Sequence, residues 1–216
     1  MRSAKLTHLL PVLAAAVACA LGGCNYLAGL LYIFTPESRT VSPEFDKLDG
    51  NTVAVVVAAD DRFVTGYDYF REQVSMMISE ELRRHLDDVK TVEASAVVGY
   101  QKAHPQWAAM PQTELARRLG ADYLLVVTVR DYSLRPKGSR SLYHGHITAD
   151  AELFDGTKSQ DAARVFWSPE ISADYPEGDW PLTRIEGGLE KMREELDKRF
   201  AQTLVRKFRH YKVKNE

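Results

Sequence analysis

Two histidines separated by one residue are the first candidates for chemistry in this sequence. Alternate side chains of an extended strand point to the same face, so His144 and His146 would present both imidazoles together. Such a pair could bind a divalent metal, with Asp150 on the same face as a further ligand. The opposite register is apolar and suits the core, so the histidine face is predicted to be the wet one. A pH-sensitive or simply solvated patch is the alternative to a metal site.

A pair of carboxylates, Asp60 and Asp61, follows the first predicted strand, where α/β enzymes often place catalytic groups. Adjacent residues in an extended segment point to opposite sides, so a simple strand end is the better interpretation. The sequence contains no phosphate loop, no Gly-x-Ser-x-Gly motif, no His-Glu-x-x-His and no dinucleotide fingerprint. We therefore expect neither catalysis nor a cofactor. A metal-binding or hydrolytic enzyme acting at the His144/His146 face is kept as the alternative.

A lipoprotein signal stands near the start of the chain. An apolar run that begins just after Arg2 and Lys5 ends in Leu21-Gly22-Gly23-Cys24. A basic start, an apolar stretch and small residues before a cysteine are the parts of such a signal. The pattern predicts a signal peptide over residues 1–23, cleavage between Gly23 and Cys24, and a lipid on the Cys24 sulfur that tethers the protein to a membrane. An uncleaved anchor is the alternative, because no charged residue occurs between Lys5 and Glu37.

The residues around this signal also limit location and partners. The Leu21–Cys24 signal resembles that of Gram-negative lipoproteins, many of which are retained at the inner membrane by an aspartate after the cysteine. Asn25 stands at that position here, so the resemblance implies the periplasmic face of the outer membrane. The two cysteines are Cys19 and Cys24, so cleavage would leave no thiol for a nucleophile, a zinc site or a disulfide. The formal net charge is −2, and cleavage would remove two basic residues, so nucleic acid is not an expected partner.

Apolar periodicity predicts the elements that would position these residues. Residues 24–50 are interpreted as a lipidated apolar stretch and a linker, in which Tyr26–Phe34 lies against either the membrane interface or the domain. Residues 51–216 are interpreted as a single periplasmic α+β domain, a mixed sheet with helices packed on one face. The predicted order is β-α-β-α-α-β-β-β-α. It begins with a buried strand, Thr52–Ala59, and ends with a long helix from Thr183 to about Tyr211. The three consecutive strands are predicted over Asp122–Leu134, Ser141–Phe154 and Arg164–Ile171.

Two tryptophans, Trp107 and Trp180, occur in loops bounded by proline. Rigid loops with an aromatic tip often anchor a protein partner, which makes both residues interface candidates. The alternative is that each ring folds onto the core as a lid.

A resemblance to a known group covers roughly residues 52–171. The segment Gly120–Leu125 after a short helix, then Ala151–Asp155, a turn, and Val165–Trp167 resembles small periplasmic domains of the TolB amino-terminal, CsgG and LpoB lipoprotein group, as well as many uncharacterised bacterial lipoproteins. The shared motifs are structural, and they transfer no catalytic residue. The resemblance implies a non-catalytic envelope lipoprotein that docks a protein partner in assembly or transport. An oligomeric secretion component of the CsgG kind is the alternative, so a homo-oligomer is possible.

Overall fold

The structure, a computed structural model, describes residues 38–60, 67, 69–139, 141–178 and 188–214. The signal peptide, Gly23, Cys24, Tyr26–Phe34, Asp61 and Trp180 lie outside the described residues. Ser42–Tyr211 forms one compact unit. The described residues 38–41 and 212–214 belong to a second unit, in which β1 (Ser38–Val41) pairs with β7 (Tyr211–Lys214).

A five-stranded mixed sheet forms the centre of the larger unit, in the order β3-β2-β4-β5-β6. The two parallel pairs join β2 to β3 and to β4, and the remaining pairs are antiparallel. Its strands are β2 (Thr52–Ala59), β3 (Lys90–Thr91), β4 (Tyr123–Ser133), β5 (Gly145–Asp155) and β6 (Arg164–Tyr175). The helices are α1 (Phe70–His85), α2 (Ala94–Ala103), α3 (Gln112–Arg118) and α4 (Gly188–Val205). Short 3-10 turns cover Trp107–Ala109, Gln160–Ala162 and Arg206–Phe208.

The predicted α+β class and the order β-α-β-α-α-β-β-β-α are confirmed by β2 to α4. The helices pack on both faces of the sheet and not on one face as predicted, because β2 and β4 are apolar on both sides. One core contains Val53, Val55 and Val57 with the buried faces of α1 and α4. A smaller core on the opposite face contains Ala54 and Val56 with α2 and α3. A strand with two apolar faces needs a cover on each side.

Three predicted boundaries were wrong. Strand β5 begins at Gly145, four residues after the predicted Ser141. Helix α4 ends at Val205, although the amphipathic pattern continues, because the chain turns through Arg206–Phe208 and then becomes extended in β7. Phe208 is buried from that turn, which explains why it fits the helical pattern. Strand β6 runs four residues beyond the predicted Ile171, because it stays paired with β5 as far as Tyr175 opposite Gly145.

Candidate functional sites

Strand β5 separates a buried face from a half-buried polar face. Its apolar residues are buried at every second position: Ile147, Ala149, Ala151 and Leu153. The residues between them are half-buried and polar: His146, Thr148, Asp150 and Glu152. The alternation therefore places the histidine side on the wetter face, as the sequence predicts.

Asp174 of β6 joins the two histidines. Its Oδ1 atom lies 2.8 Å from Nδ1 of His146 and 3.3 Å from Nε2 of His144. The second ring nitrogen of His146, Nε2, lies 2.9 Å from the Thr148 hydroxyl. The contact arises from strand register, since His146 and Asp174 are directly opposite in the antiparallel pair. The acidic group at the histidine pair is thus Asp174, which the sequence alone did not identify.

Asp150, the predicted third ligand, is engaged elsewhere. Nε and Nη2 of Arg130 donate to its Oδ2 atom at 2.8 and 2.7 Å, and the Glu170 backbone N–H donates to Oδ1 at 3.2 Å. Burial acts to raise the pKa of Asp150, but these hydrogen bonds lower it overall. Asp150 therefore pairs with Arg130 of the neighbouring strand β4 instead of joining the histidines. Across the residues that the structure describes, no group of three or more His, Cys, Asp and Glu side chains is placed to hold a metal ion.

The polar face of β5 and β6 carries an exposed aromatic ring. Trp167 lies opposite Glu152 and is 57% exposed. Beside it, Nη1 of Arg164 donates to Oε1 of Glu152 at 3.0 Å. The two helices on this side of the sheet, α2 and α3, pack over β2, β4 and the Phe154 end of β5. We call the surface formed by His146, Asp150, Glu152, Trp167 and Asp174 the open face. Trp167 points away from the core because its neighbours Phe166 and Ser168 occupy the buried positions of this alternating strand.

Trp107 is placed differently from Trp167. It is half-buried in a 3-10 turn and packs against the core that contains α2 and α3. The ring also lines a cavity of about 200 Å³ at the carboxyl end of β2, together with Lys102 and Ala59. Trp107 is therefore partly packed on the core, and its role at an interface stays a prediction.

A groove of about 430 Å³ lies between α4 and the β6 strand. In the described part of the sheet, β6 has a neighbouring strand on one side only. Nη1 of Arg199 lies 3.3 Å from Oε2 of Glu177, and its guanidinium group lies over the Tyr175 ring. The groove is lined by Ser172, Ala173 and Asp174 from β6 and by Arg199, Gln202 and Thr203 from α4, with Arg206, Glu177 and Gly178 at its ends. We call it the β6/α4 groove.

A carboxyl group is fully buried on the inner side of α4. Asp197 has no exposed surface, and its Oδ2 atom accepts a hydrogen bond from the Tyr67 hydroxyl at 2.9 Å. Oδ1 of Asp197 and the nearby hydroxyl of Tyr132 are both buried without a partner of hydrogen-bonding geometry among the described residues. Burial raises the pKa of Asp197 to about 7, against the lowering effects of the two tyrosines and Arg193. Burial among apolar neighbours, and not an opposing charge, therefore determines the pKa of Asp197.

No protein-family model matches the chain, and neither does the sequence of any curated protein. Solved structures with a similar fold include PelC from Paraburkholderia phytofirmans, described as a dodecamer, at 20% identity and a TM-score of 0.45, covering 80% of this chain and 96% of that one. Lipoprotein GNA1162 from Neisseria meningitidis is 17% identical with a TM-score of 0.44, covering 65% and 90%. The hypothetical protein CT253 from Chlamydia trachomatis is 18% identical with a TM-score of 0.39, covering 58% and 72%. At this level of similarity no function is carried over to the present chain.

Within the described ranges, no helix combines the length and the apolar character needed to cross a bilayer.

Proposed function

We propose that this chain is a bacterial envelope lipoprotein that docks a protein partner through the open face and has no catalytic role. The tether is the lipid on Cys24, and the location is the periplasmic face of the outer membrane. The lipobox at Leu21–Cys24 supports the tether, and the residue after it, Asn25, supports the location.

The observation that carries the docking proposal is the exposed Trp167 ring on the open face. A large aromatic ring costs free energy in water, and tryptophan is among the residues that dominate binding at protein interfaces. The polar groups around it are already satisfied: Glu152 pairs with Arg164, and Asp150 pairs with Arg130. A central aromatic ring within a rim of paired charges is the usual composition of a protein-binding surface.

The polar groups of the open face are engaged in contacts that leave them poorly suited to catalysis. His146 uses one ring nitrogen on Asp174 and the other on Thr148, so neither nitrogen is free to activate a nucleophile or to bind a metal without breaking a contact. Asp150 is held by Arg130 in the ionised form, which is unsuited to donating a proton.

The test is crosslinking in intact cells followed by affinity purification and mass spectrometry of the full chain. We expect one specific envelope protein to be captured by the wild type and lost with Trp167→Ala. Tyr69→Ala is the matched control, because Tyr69 is also an exposed aromatic residue, 71% accessible, but it lies at the start of α1 and not on the open face. Cys24→Ala should reduce capture by releasing the protein from the membrane. Equal capture by the wild type and Trp167→Ala, or recovery of the chain alone, would refute docking at this face.

A further inference from the structure

We propose that the β6/α4 groove binds an extended acidic segment of the protein partner, which adds to the sheet as a further strand beside Ser172–Asp174. This inference rests on the proposed function, because it presumes a protein partner. It adds the mode of binding and the chemistry of the bound segment.

The backbone of β6 can accept a further strand along part of its outer edge. Every second residue of a terminal strand directs its N–H and C=O away from the sheet, which makes that edge a template for another strand. The described neighbours of β6 lie only on the β5 side. Its amino-terminal half is a poor template, because Pro169 has no N–H and Glu170 adopts a positive φ of 52° at a register shift. Regular pairing is therefore open to the segment from Ile171 to Tyr175.

The β6/α4 groove has the position and size that an added strand needs. An added strand lies about 4.8 Å from its neighbour, which places it in the space between β6 and the outer surface of α4. Gln202 and Thr203 of α4 would then lie beside its side chains. A volume of about 430 Å³ is enough for a few residues of a peptide, and strand addition needs no more than that.

The β6/α4 groove carries positive charge from two arginines. Arg206 lines the groove and stacks on the Tyr211 ring, but it has no carboxylate partner among the described residues. Arg199 is paired with Glu177, whose side chain is 88% exposed and can be replaced by an incoming carboxylate at little cost. Asp174 is turned toward the two histidines of the open face. Side chains that face α4 from an added strand therefore meet two arginines, which favours glutamate or aspartate at alternate positions.

The same charges argue against a second copy of this chain as the occupant. Edge-to-edge pairing of two β6 strands about a two-fold axis would place both α4 helices on the same side of the joined sheet. The Arg199 and Arg206 side chains of the two copies would then face each other across the contact. Like charges in that position destabilise the pairing, whereas an acidic segment neutralises them.

The test uses random 12-residue peptides displayed on phage and selected on the full chain in detergent. Selected sequences should carry acidic residues at every second position. As synthetic peptides, they should bind Arg206→Glu about tenfold more weakly, which corresponds to the loss of one close charge pair. Lys198→Glu is the matched control, since Lys198 is an exposed cation of α4 outside the groove, and it should leave affinity unchanged. Thr203→Trp should abolish binding by filling the groove.

N-methylation of the peptide backbone separates strand addition from a purely ionic contact. Methyl groups at alternate positions should abolish binding, and those at the intervening positions should not, because only one set of N–H groups faces β6. Equal sensitivity at all positions would overturn the proposal, as would failure to select acidic alternating peptides. A dimer of the chain that is disrupted by Thr203→Trp would overturn it in favour of a second copy. If Trp167→Ala abolishes partner capture in cells while Arg206→Glu and Thr203→Trp do not, strand addition fails and the proposed function stands.

Discussion

Replacing the buried Asp197 with asparagine should remove a loss of stability that the wild-type chain suffers as the pH rises from about 4 to 7. Asp197 lies on the inner side of α4 with no exposed surface. Tyr67 donates one hydrogen bond to it, and Arg193 stacks on the Tyr67 ring instead of pairing with the carboxylate. Glu190, about two turns earlier on the helix, adds a small repulsion. The ionised form is therefore poorly compensated in the folded protein.

The sign and size of this change in stability follow from the pKa values of Asp197 in the folded and unfolded chain. The carboxyl group titrates at about 7 in the folded chain and at its ordinary 3.8 when unfolded. The folded state therefore retains a proton that the unfolded state has lost, and stability falls across this interval as the pH rises. Each pKa unit corresponds to about 1.4 kcal/mol, so complete ionisation costs on the order of 4 kcal/mol. Above about pH 7 the penalty is constant. That is a large part of the usual 5–15 kcal/mol stability of a domain.

The assay is urea unfolding of the full chain in mild detergent, followed by circular dichroism between pH 4 and pH 8. Asparagine keeps a carbonyl oxygen that can accept the Tyr67 hydrogen bond and has no charge to bury. The variant should therefore equal or fall slightly below the wild type at pH 4 and exceed it by about 2–4 kcal/mol at pH 8. Parallel stability profiles for the two proteins, with a constant difference at every pH, would show that the folded environment does not raise the Asp197 pKa, and the reasoning would be wrong.

Two further predictions concern exposed charge and close packing. Asp150→Asn should have the opposite pH dependence. Because the pKa of Asp150 is lowered, its stabilising pair with the exposed Arg130 is fully present above about pH 4 and is lost as the pH falls through the lowered folded pKa. In urea unfolding the variant should therefore lose up to about 1 kcal/mol at pH 7 and less at pH 3. Gly156→Ala should lower the free energy of unfolding by about 1–3 kcal/mol, because the new Cβ would lie 3.0 Å from the Ala116 Cβ. Gly99→Ala in the middle of α2, where nothing lies within 4 Å of the new Cβ, should instead raise it by about 0.5–1 kcal/mol. Thermal unfolding measures both changes, and changes of the same sign would contradict this expectation.

The central strand and the amphipathic helices could be predicted because their signals are local. Thr52–Ala59 is apolar at consecutive positions, which requires cover on two faces, and the structure begins and ends β2 at those residues. Helix α1 shows the same agreement, since Phe70, Val74, Ile78 and Leu82 repeat at four-residue spacing and are all buried. Both signals depend only on the period of apolar residues along the chain.

The polar contacts could not be predicted, because they depend on which strands meet and in what register. His144, His146 and Asp174 are joined only once β5 and β6 are aligned, and a shift of one residue would move Asp174 to the opposite face. Asp150 follows the same rule, since Arg130 lies at the register shift of β4 and reaches Asp150 on the neighbouring β5. The pairing of β1 with β7 joins the two ends of the described chain, for which no local pattern exists.

The parallel partner of β2 sets an order of assembly for the whole sheet. Strands β4, β5 and β6 follow one another and are joined by connections of eleven and eight residues. The hydrogen bond from the Thr52 N–H to Asp122 instead closes a loop of 70 residues. We expect β2 to enter its place between β3 and β4 late in folding. Until then its eight residues, without a charge or a proline, are available for pairing between chains. Aggregation of newly made chains should therefore begin at Thr52–Ala59, and a chaperone that protects them would have to cover this one strand.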